Sequence, residues 1–310
     1  TSSVSVDAYN TAVGYKVMYD NTTGTNNTAL GAHTFQNNLT GHYNTALGMH
    51  ALQAEEDGDY TTAVGYQALY NQNSDAAGQD VFNTAVGAHA GFGLTTGIRN
   101  TFIGGDCARN ATITGDENTG IGFQALYALT SGTNNVAVGQ TGGAINTGSN
   151  NTCINGGGAV TEGDNNTLVG KDAGQTGSPG GNFTTHDNRI TLGDENIVES
   201  NIQVDWTVAS DERDKTDFTA LDLGLGFVNA LAPVTYKWDK RSKYGDKYAD
   251  DYDLNAQVPD GTHKEDWLDI GFKAQEVEAL EIAAGYKIAD KTNLTTSLTG
   301  DGKQYGIQYS

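Results

Sequence analysis

The sequence predicts a mainly β protein: a repetitive β-solenoid or triple β-helix shaft, assembled as a homotrimer, followed by a small α+β domain. Three observations predict it. A pentad of the form Asn-Thr-Ala-Val-Gly recurs along the first two thirds of the 310 residues. Its period is too short to enclose a core of its own. The composition also changes near residue 205: Gly, Asn, Thr, Ala and Val dominate upstream, whereas Trp206, Trp238, Trp267 and most lysines lie downstream. The domains are therefore expected at 1–205, the shaft, and 206–310, the globular part.

The pentads begin at Asn10, Asn27, Asn44, Thr61, Asn83, Asn100, Asn118, Asn135, Asn151 and Asn166, with a looser version from Asn188 to Leu192. The steps are 17, 17, 17, 22, 17, 18, 17, 16, 15 and 22 residues. Alanine, often Ala-Leu, follows the pentad glycine by three residues, as at Ala51-Leu52, Ala68-Leu69 and Ala125-Leu126. Thr-Gly or Ser-Gly precedes the next asparagine, as at Thr23-Gly24, Thr96-Gly97 and Ser131-Gly132. Each unit reads as strand, turn, strand, turn, with glycine at corners that need positive φ or close backbone approach.

One unit offers two or three apolar side chains, too few for a separate core. Rungs stacked about 4.8 Å apart pair their backbones, let asparagines form ladders, and join the small inward residues into one narrow core. So small a core favours a further layer of burial between chains, hence the expected homotrimer. Two units, Ala63 to Phe82 and Leu168 to Asp187, are five residues longer than the rest, the latter carrying Ser178-Pro179-Gly180-Gly181. Insertions leave a solenoid as side loops, where ligand contact is expected.

The net charge of −21 divides into 5 basic and 19 acidic residues over 1–209, and 12 and 19 over 210–310. Acidic surfaces repel phosphate backbones and anionic lipid, which argues against nucleic-acid and peripheral membrane binding. The longest apolar runs fall short of the ~20 residues of a membrane span, and no charged and apolar leader opens the sequence, so no membrane insertion is expected. Cys107 and Cys153 stand in separate repeats, without metal-ligand or disulfide spacing, and read as small apolar fillers.

The position two residues after the pentad glycine carries Lys16, His33, His50, Gln67, His89, Asp106 and Gln124. Histidines recurring in register would stack along one face, and in a trimer could cluster imidazoles for metal binding. Lysine and glutamine at the same position favour a solvated polar ladder instead. The stretch Glu55, Glu56, Asp57, Asp59 lacks the alternating ligands and glycine of a calcium loop and reads as a solvated turn. No acidic residue recurs on the strands and aromatic residues for sugar stacking are sparse, which argues against a glycosidase in the shaft. The sequons at Asn21 and Asn38 are expected by chance in a chain so rich in Asn and Thr. No metal and no cofactor is expected.

From Val208 the sequence runs Val-Ala-Ser-Asp-Glu-Arg-Asp-Lys. A helical stretch from Leu221 to Leu231 follows, ended by Pro233, and then a strand-like segment from Val234 to Trp238. Farther on come Gly271-Phe272-Lys273-Ala274-Gln275-Glu276-Val277-Glu278 and a closing Tyr305-Gly306-Ile307-Gln308-Tyr309-Ser310. These blocks, in this order, resemble the intramolecular chaperone domain of the endosialidase tailspike family, a self-cleaving serine-lysine peptidase. The shaft also looks like the repeats that often precede this chaperone in phage and bacterial surface proteins.

The resemblance implies that Ser210 is the nucleophile and Lys215 its base, with cleavage between Ala209 and Ser210. A lysine serves as base only when burial or neighbouring cations hold it neutral. Asp214 departs from the family, which commonly has an apolar residue there, and a carboxylate beside Lys215 favours the charged amine. Relatives usually continue into a long coiled-coil helix that joins three chaperones; here either that helix lies beyond Ser310 or the domain trimerises otherwise. The residues alone leave a second reading open, in which Ser210 caps a helix start with Asp211 and Glu212 in its first turn.

The expected function is that of a structural fibre for host-cell attachment, a phage tail fibre or tailspike located in the virion. Its C-terminal domain is expected to chaperone trimer assembly. Any enzymatic activity is confined to autoproteolysis in cis. The expected partners are two further copies, tail or baseplate proteins and a bacterial surface receptor, glycan or protein. The alternatives are a bacterial trimeric surface adhesin, a contractile injection system fibre and, third, a glycan-degrading tailspike.

Overall fold

The structure, a computed structural model, describes residues 8–110, 112–140, 145–155, 161–175, 177–197, 215–216, 223–246, 249, 251–299 and 302–307. The chain divides into two units, Thr1–Asp194 and Glu195–Ser310.

The first unit is a β-solenoid with one three-residue strand per turn. The strands are β1 (Thr11–Val13), β2 (Thr28–Leu30), β3 (Thr45–Leu47), β4 (Thr62–Val64), β5 (Thr84–Val86), β6 (Thr101–Ile103), β7 (Thr119–Ile121), β8 (Val136–Val138), β9 (Thr152–Ile154), β10 (Thr167–Val169) and β11 (Ile190–Leu192). They form one parallel sheet in chain order, with like residues opposite like, as in Ala29, Ala46 and Ala63. The central residue of each strand points inward, and Ala46, Ala63, Ala85, Phe102 and Ala137 are fully buried. Of the two expected architectures, the observed one is the single-chain solenoid, whose core closes within one chain. No core shared among copies is needed to bury these residues.

The expected second strand of each unit is absent from the described turns. After the pentad glycine the backbone alternates into the left-handed region, as at Gly48 (φ 129), His50 (φ 60) and Leu52 (φ 51). Extended pairing is impossible there, yet the turns still bond to one another: His50 N–H donates to Ala32 O at 3.0 Å and Leu52 N–H to Ala68 O at 2.9 Å. Positive φ costs a non-glycine residue about 1–2 kcal/mol. Full burial of a Leu side chain contributes roughly 1.5–3 kcal/mol, so at Leu52 and Leu69, both fully buried, burial offsets the strain. The pentad glycine has a second constraint. A Cβ on Gly87 would lie 2.5 Å from Gly104 O of the next turn.

Large and small inward residues alternate to keep the core filled. Phe102 replaces the usual alanine, and Gly91 replaces the leucine beside it; a Cβ on Gly91 would sit 2.7 Å from Leu69 Cδ2 and 2.9 Å from Phe102 Cδ2. Gly120 makes room in the same way for Cys107 and Leu126. Volume is conserved although identity is not, which is what a close-packed interior tolerates. The two thiols are such fillers: Cys107 and Cys153 are free and buried, and burial pushes both thiol pKa values up to about 12.

The pentad asparagines form a buried ladder. Each side-chain Oδ1 accepts the backbone N–H of the corresponding residue one turn on, at 2.8 Å from Asn44 to Asn27, 2.7 Å from Asn100 to Asn83 and 3.0 Å from Asn135 to Asn118. Each Nδ2 donates to a backbone carbonyl of the following turn, a glycine's at 2.8 Å from Asn27 to Gly41 and 2.9 Å from Asn118 to Gly132, and His186's at 2.7 Å from Asn166. At Thr61 the asparagine is missing and Gln72 substitutes, its Nε2 reaching Thr61 Oγ1 at 3.2 Å while its Oε1 accepts from Asn83 Nδ2 at 2.9 Å.

Gln72 belongs to a second inward row, in register with Asn21, Asn38 and Glu55. This row corrects the expectation that Glu55 to Asp59 is a solvated turn, because Glu55 is fully buried and Asp59 is 8% exposed. The Glu55 carboxylate accepts from Gly58 N (2.7 Å), Ser74 Oγ (2.9 Å) and Gln72 Nε2 (2.8 Å). Burial raises the Asp59 carboxyl pKa even though its Oδ1 accepts the His42 N–H at 2.6 Å. Beyond the first insertion the same row turns apolar, with Leu94, Ile113, Leu129 and Ile145 all fully buried.

The two insertions behave differently. Asp75–Gly78 projects from the column and is exposed. In the second, Ser178 is fully buried and Phe183 1% exposed; Ser178 Oγ accepts Gly174 N–H at 3.0 Å, and the Arg189 guanidinium lies 5.2 Å from the Phe183 ring centre. It folds inward over the end of the core, where the expectation was a side loop. The last pentad is also shifted by one residue: Thr167 pairs with Ile190 and Arg189 N–H donates to Asn166 Oδ1 at 3.1 Å. Alternation decides this register, since Thr191 is 4% and Ile190 74% exposed.

The second unit contains α1 (Leu225–Ala230), β12 (Val234–Tyr236), β13 (Asp269–Gly271), α2 (Ala274–Ala283), β14 (Thr296–Leu298) and β15 (Tyr305–Ile307). β12 pairs antiparallel with β13, and β14 with β15. Glu281 of α2 joins the helix to the second hairpin, its carboxylate accepting from Thr295 N and Thr295 Oγ1, both at 2.7 Å, and from the Thr296 hydroxyl. Burial raises its pKa, and these hydrogen bonds outweigh burial and hold it below the ordinary carboxylate value. Leu254 and Val277 are the buried apolar side chains among the described residues of this unit.

Candidate functional site

The residues singled out for chemistry fall at the start of the second unit. Ala209, Ser210 and Asp214 lie outside the described residues, and Lys215 is described and exposed. Downstream, a groove of about 140 Å³ opens between the end of α1 and the exposed side of α2, lined by Leu231, Phe272, Val277 and Leu280. The unit exposes large apolar side chains, among them Leu225 (72%), Val258 (78%) and Ile270 (79%). Lys240 Nζ donates to Glu195 O at 2.6 Å and lies 5.8 Å from the Trp238 ring centre.

On the column the exposed chemistry lies in rows set by the period. His33 and His50 stack at 5.2 Å with an interplanar angle of 10°, as registered repeats require. His89 does not join them, since Gln67 intervenes, and it pairs with Asp106 at 3.0 Å. Nδ1 of His33 and of His50 is engaged by Gln36 and Gln53, each at 2.6 Å. All three histidines have φ between 56° and 60°, a conformation open to His, Asn and Asp but hostile to β-branched residues. That backbone requirement accounts for polar, unbranched residues recurring at this position. Among the described residues, no group of three His, Cys, Asp or Glu side chains is placed to hold a metal ion.

Other rows are aromatic. Tyr43, Tyr60 and Phe82 stack at 5.0 and 5.1 Å, and Tyr70 stacks on Phe92 at 5.2 Å. These rings form two rows, one directly before the pentads and one five residues after the pentad glycine, and within each row they are neighbours because they occupy the same place in successive turns. The arrangement gives the column a regular, partly aromatic surface, beside which Asp59 and Asp80 face each other from adjacent turns. No helix among the described residues is long and apolar enough to cross a membrane.

Residues 210–286 match the family model described as chaperone of endosialidase. No curated protein and no solved structure matches the chain. The matched segment begins at Ser210 and takes in Lys215, α1, β12, β13 and α2. The second unit therefore carries an endosialidase-type chaperone domain, and it follows a β-solenoid.

Proposed function

We propose, from an endosialidase-type chaperone joined to a solenoid shaft, that this chain is the subunit of a homotrimeric phage tail fibre or tailspike that attaches to a bacterial surface. The chaperone domain brings three copies into register. The shaft then presents its aromatic and polar rows, with the exposed Asp75–Gly78 loop, to a surface glycan or protein, while tail or baseplate proteins hold the particle end.

Processing follows from the same reading. Ser210 Oγ attacks the Ala209 carbonyl carbon, the Ala209–Ser210 amide bond breaks as an ester forms, and water then hydrolyses the ester. Neutral Lys215 takes the hydroxyl proton and delivers it to the departing amine. Only a neutral amine can do this, and packing of neighbouring copies around Lys215 favours that form. Cleavage so gated occurs after assembly and leaves a fibre whose persistence is kinetic.

Denaturing electrophoresis of the expressed chain beside Ser210→Ala and Lys215→Ala tests processing. A fragment of residues 210–310, present in the parent and missing from both variants, is the expected result. An intact parent chain in a verified trimer would remove autoproteolysis and leave the chaperone reading standing.

A further inference from the structure

We infer that the outward face of the β1–β11 sheet is the surface through which copies of this chain pack, parallel and in register. This deepens the homotrimer reading and rests on it. The first and third residues of each strand point outward, giving a row of threonines, such as Thr84 and Thr101, beside a row of aliphatic side chains. In the second row Leu30 is 51%, Ile103 38%, Ile121 39% and Leu192 53% exposed. Solvent-facing positions on a protein of this composition are expected to be polar or charged, yet none of these outward strand residues is ionisable.

Charge selects a second copy as the occupant. With a net charge of −21, two copies repel wherever carboxylates face one another, and the acidic residues of the column lie in its turns, as at Asp20, Glu56 and Asp116. The sheet face is the strip on which like-charged chains can approach closely. Ten steps of ~4.8 Å give a length of about 48 Å, and a width of roughly 15 Å, counting the exposed side chains two residues past each strand, gives about 700 Å². Shared between the two neighbours of a trimer, the face supplies part of the ~800 Å² per partner of a standard interface. In-register copies repeat the same contact at every turn, so a modest contribution per turn accumulates along the shaft.

Cysteine crosslinking of the full chain tests this. The native thiols are buried and protonated, so Ile103→Cys, Val86→Cys or Tyr127→Cys introduces the reactive group, the last as a control in a turn segment. After light scattering establishes a trimer, a short bis-maleimide is expected to yield dimer and trimer bands with Ile103→Cys and Val86→Cys and none with Tyr127→Cys. A trimer in which neither face variant crosslinks overturns the assignment of this face and leaves the fibre reading intact. A monomer at all concentrations overturns the homotrimer, and the face with it.

Discussion

In the column one buried apolar cluster runs from Met18 to Phe183, whereas the described part of the second unit buries only Leu254 and Val277 and leaves Leu225, Val258 and Ile270 largely in solvent. Both belong to one chain and both are acidic. The difference lies in where each finds its neighbours. A turn of the column borrows its core from the turns above and below, so stacking within a single chain satisfies it. The second unit has no such repeat, and among its described residues large apolar side chains remain exposed. Among the described residues, burial within one chain is therefore most complete in the repeats, the reverse of what their apolar poverty suggests.

The largest way to break this comparison is to open the column's core. Phe102→Ala leaves a cavity that Gly91 cannot fill and is expected to lower the column's stability by about 3–5 kcal/mol, measured by denaturant unfolding followed by circular dichroism; a loss under ~1 kcal/mol would mean the core is not closed within one chain. Next is Asn118→Ala, which orphans the buried N–H of Asn135 and the carbonyl of Gly132 at an expected cost of about 2–4 kcal/mol.

Dilution sharpens the contrast. If the second unit is completed by other copies, tenfold dilution lowers its apparent stability by about 1 kcal/mol per chain, whereas the column, whose core closes within one chain, shifts less; a column that shifts as far as the second unit would erase the distinction. Within the second unit, Glu281→Gln weakens the anchor of α2 to the β14–β15 hairpin, by an expected ~1 kcal/mol. The sign of its pH dependence follows from the lowered carboxyl pKa. The stabilisation is full above the unfolded carboxylate value and drains away as pH falls through the folded one, so acid should loosen this hairpin in the parent and change the Gln variant less. The smallest effect belongs to the exposed pair Arg99 and Glu117, 2.8 Å apart: Glu117→Gln should cost at most about 0.5 kcal/mol, and less in high salt.

The column was legible to the extent that its period is. Identical residues at a fixed spacing announce stacked strands, the asparagine ladder and the glycine corners, and these are what the structure contains. Three features were hidden for physical reasons. The last register turned on burying Thr191 and exposing Ile190, a choice that hydrophobicity alone reverses. Left-handed φ at His50 and Leu52 has no compositional mark, so a second strand was expected there. Glu55 reads as part of an acidic turn until the inward row of Asn21, Asn38 and Gln72 is recognised by its 17-residue spacing, a signal present in the sequence and outweighed by the charge of its neighbours. In the second unit, the helix expected from Leu221 to Leu231 is described over Leu225–Ala230 and the strand from Val234 over Val234–Tyr236. Of the candidate site, the resemblance located the domain that the family model matches, while Ser210 and Ala209 fall outside the described residues.

Because the pentad asparagine of a regular turn hands its oxygen and its amide to the following turn, a regular turn is bonded alike whichever regular turn it meets. Residues 27–43 are thus an interchangeable quantum: without them Asn10 would meet Asn44, Ala12 would meet Ala46, and Gly14 would meet Gly48, with no bond of the ladder left open. A shaft built this way can change its reach by whole turns while its two ends stay as they are.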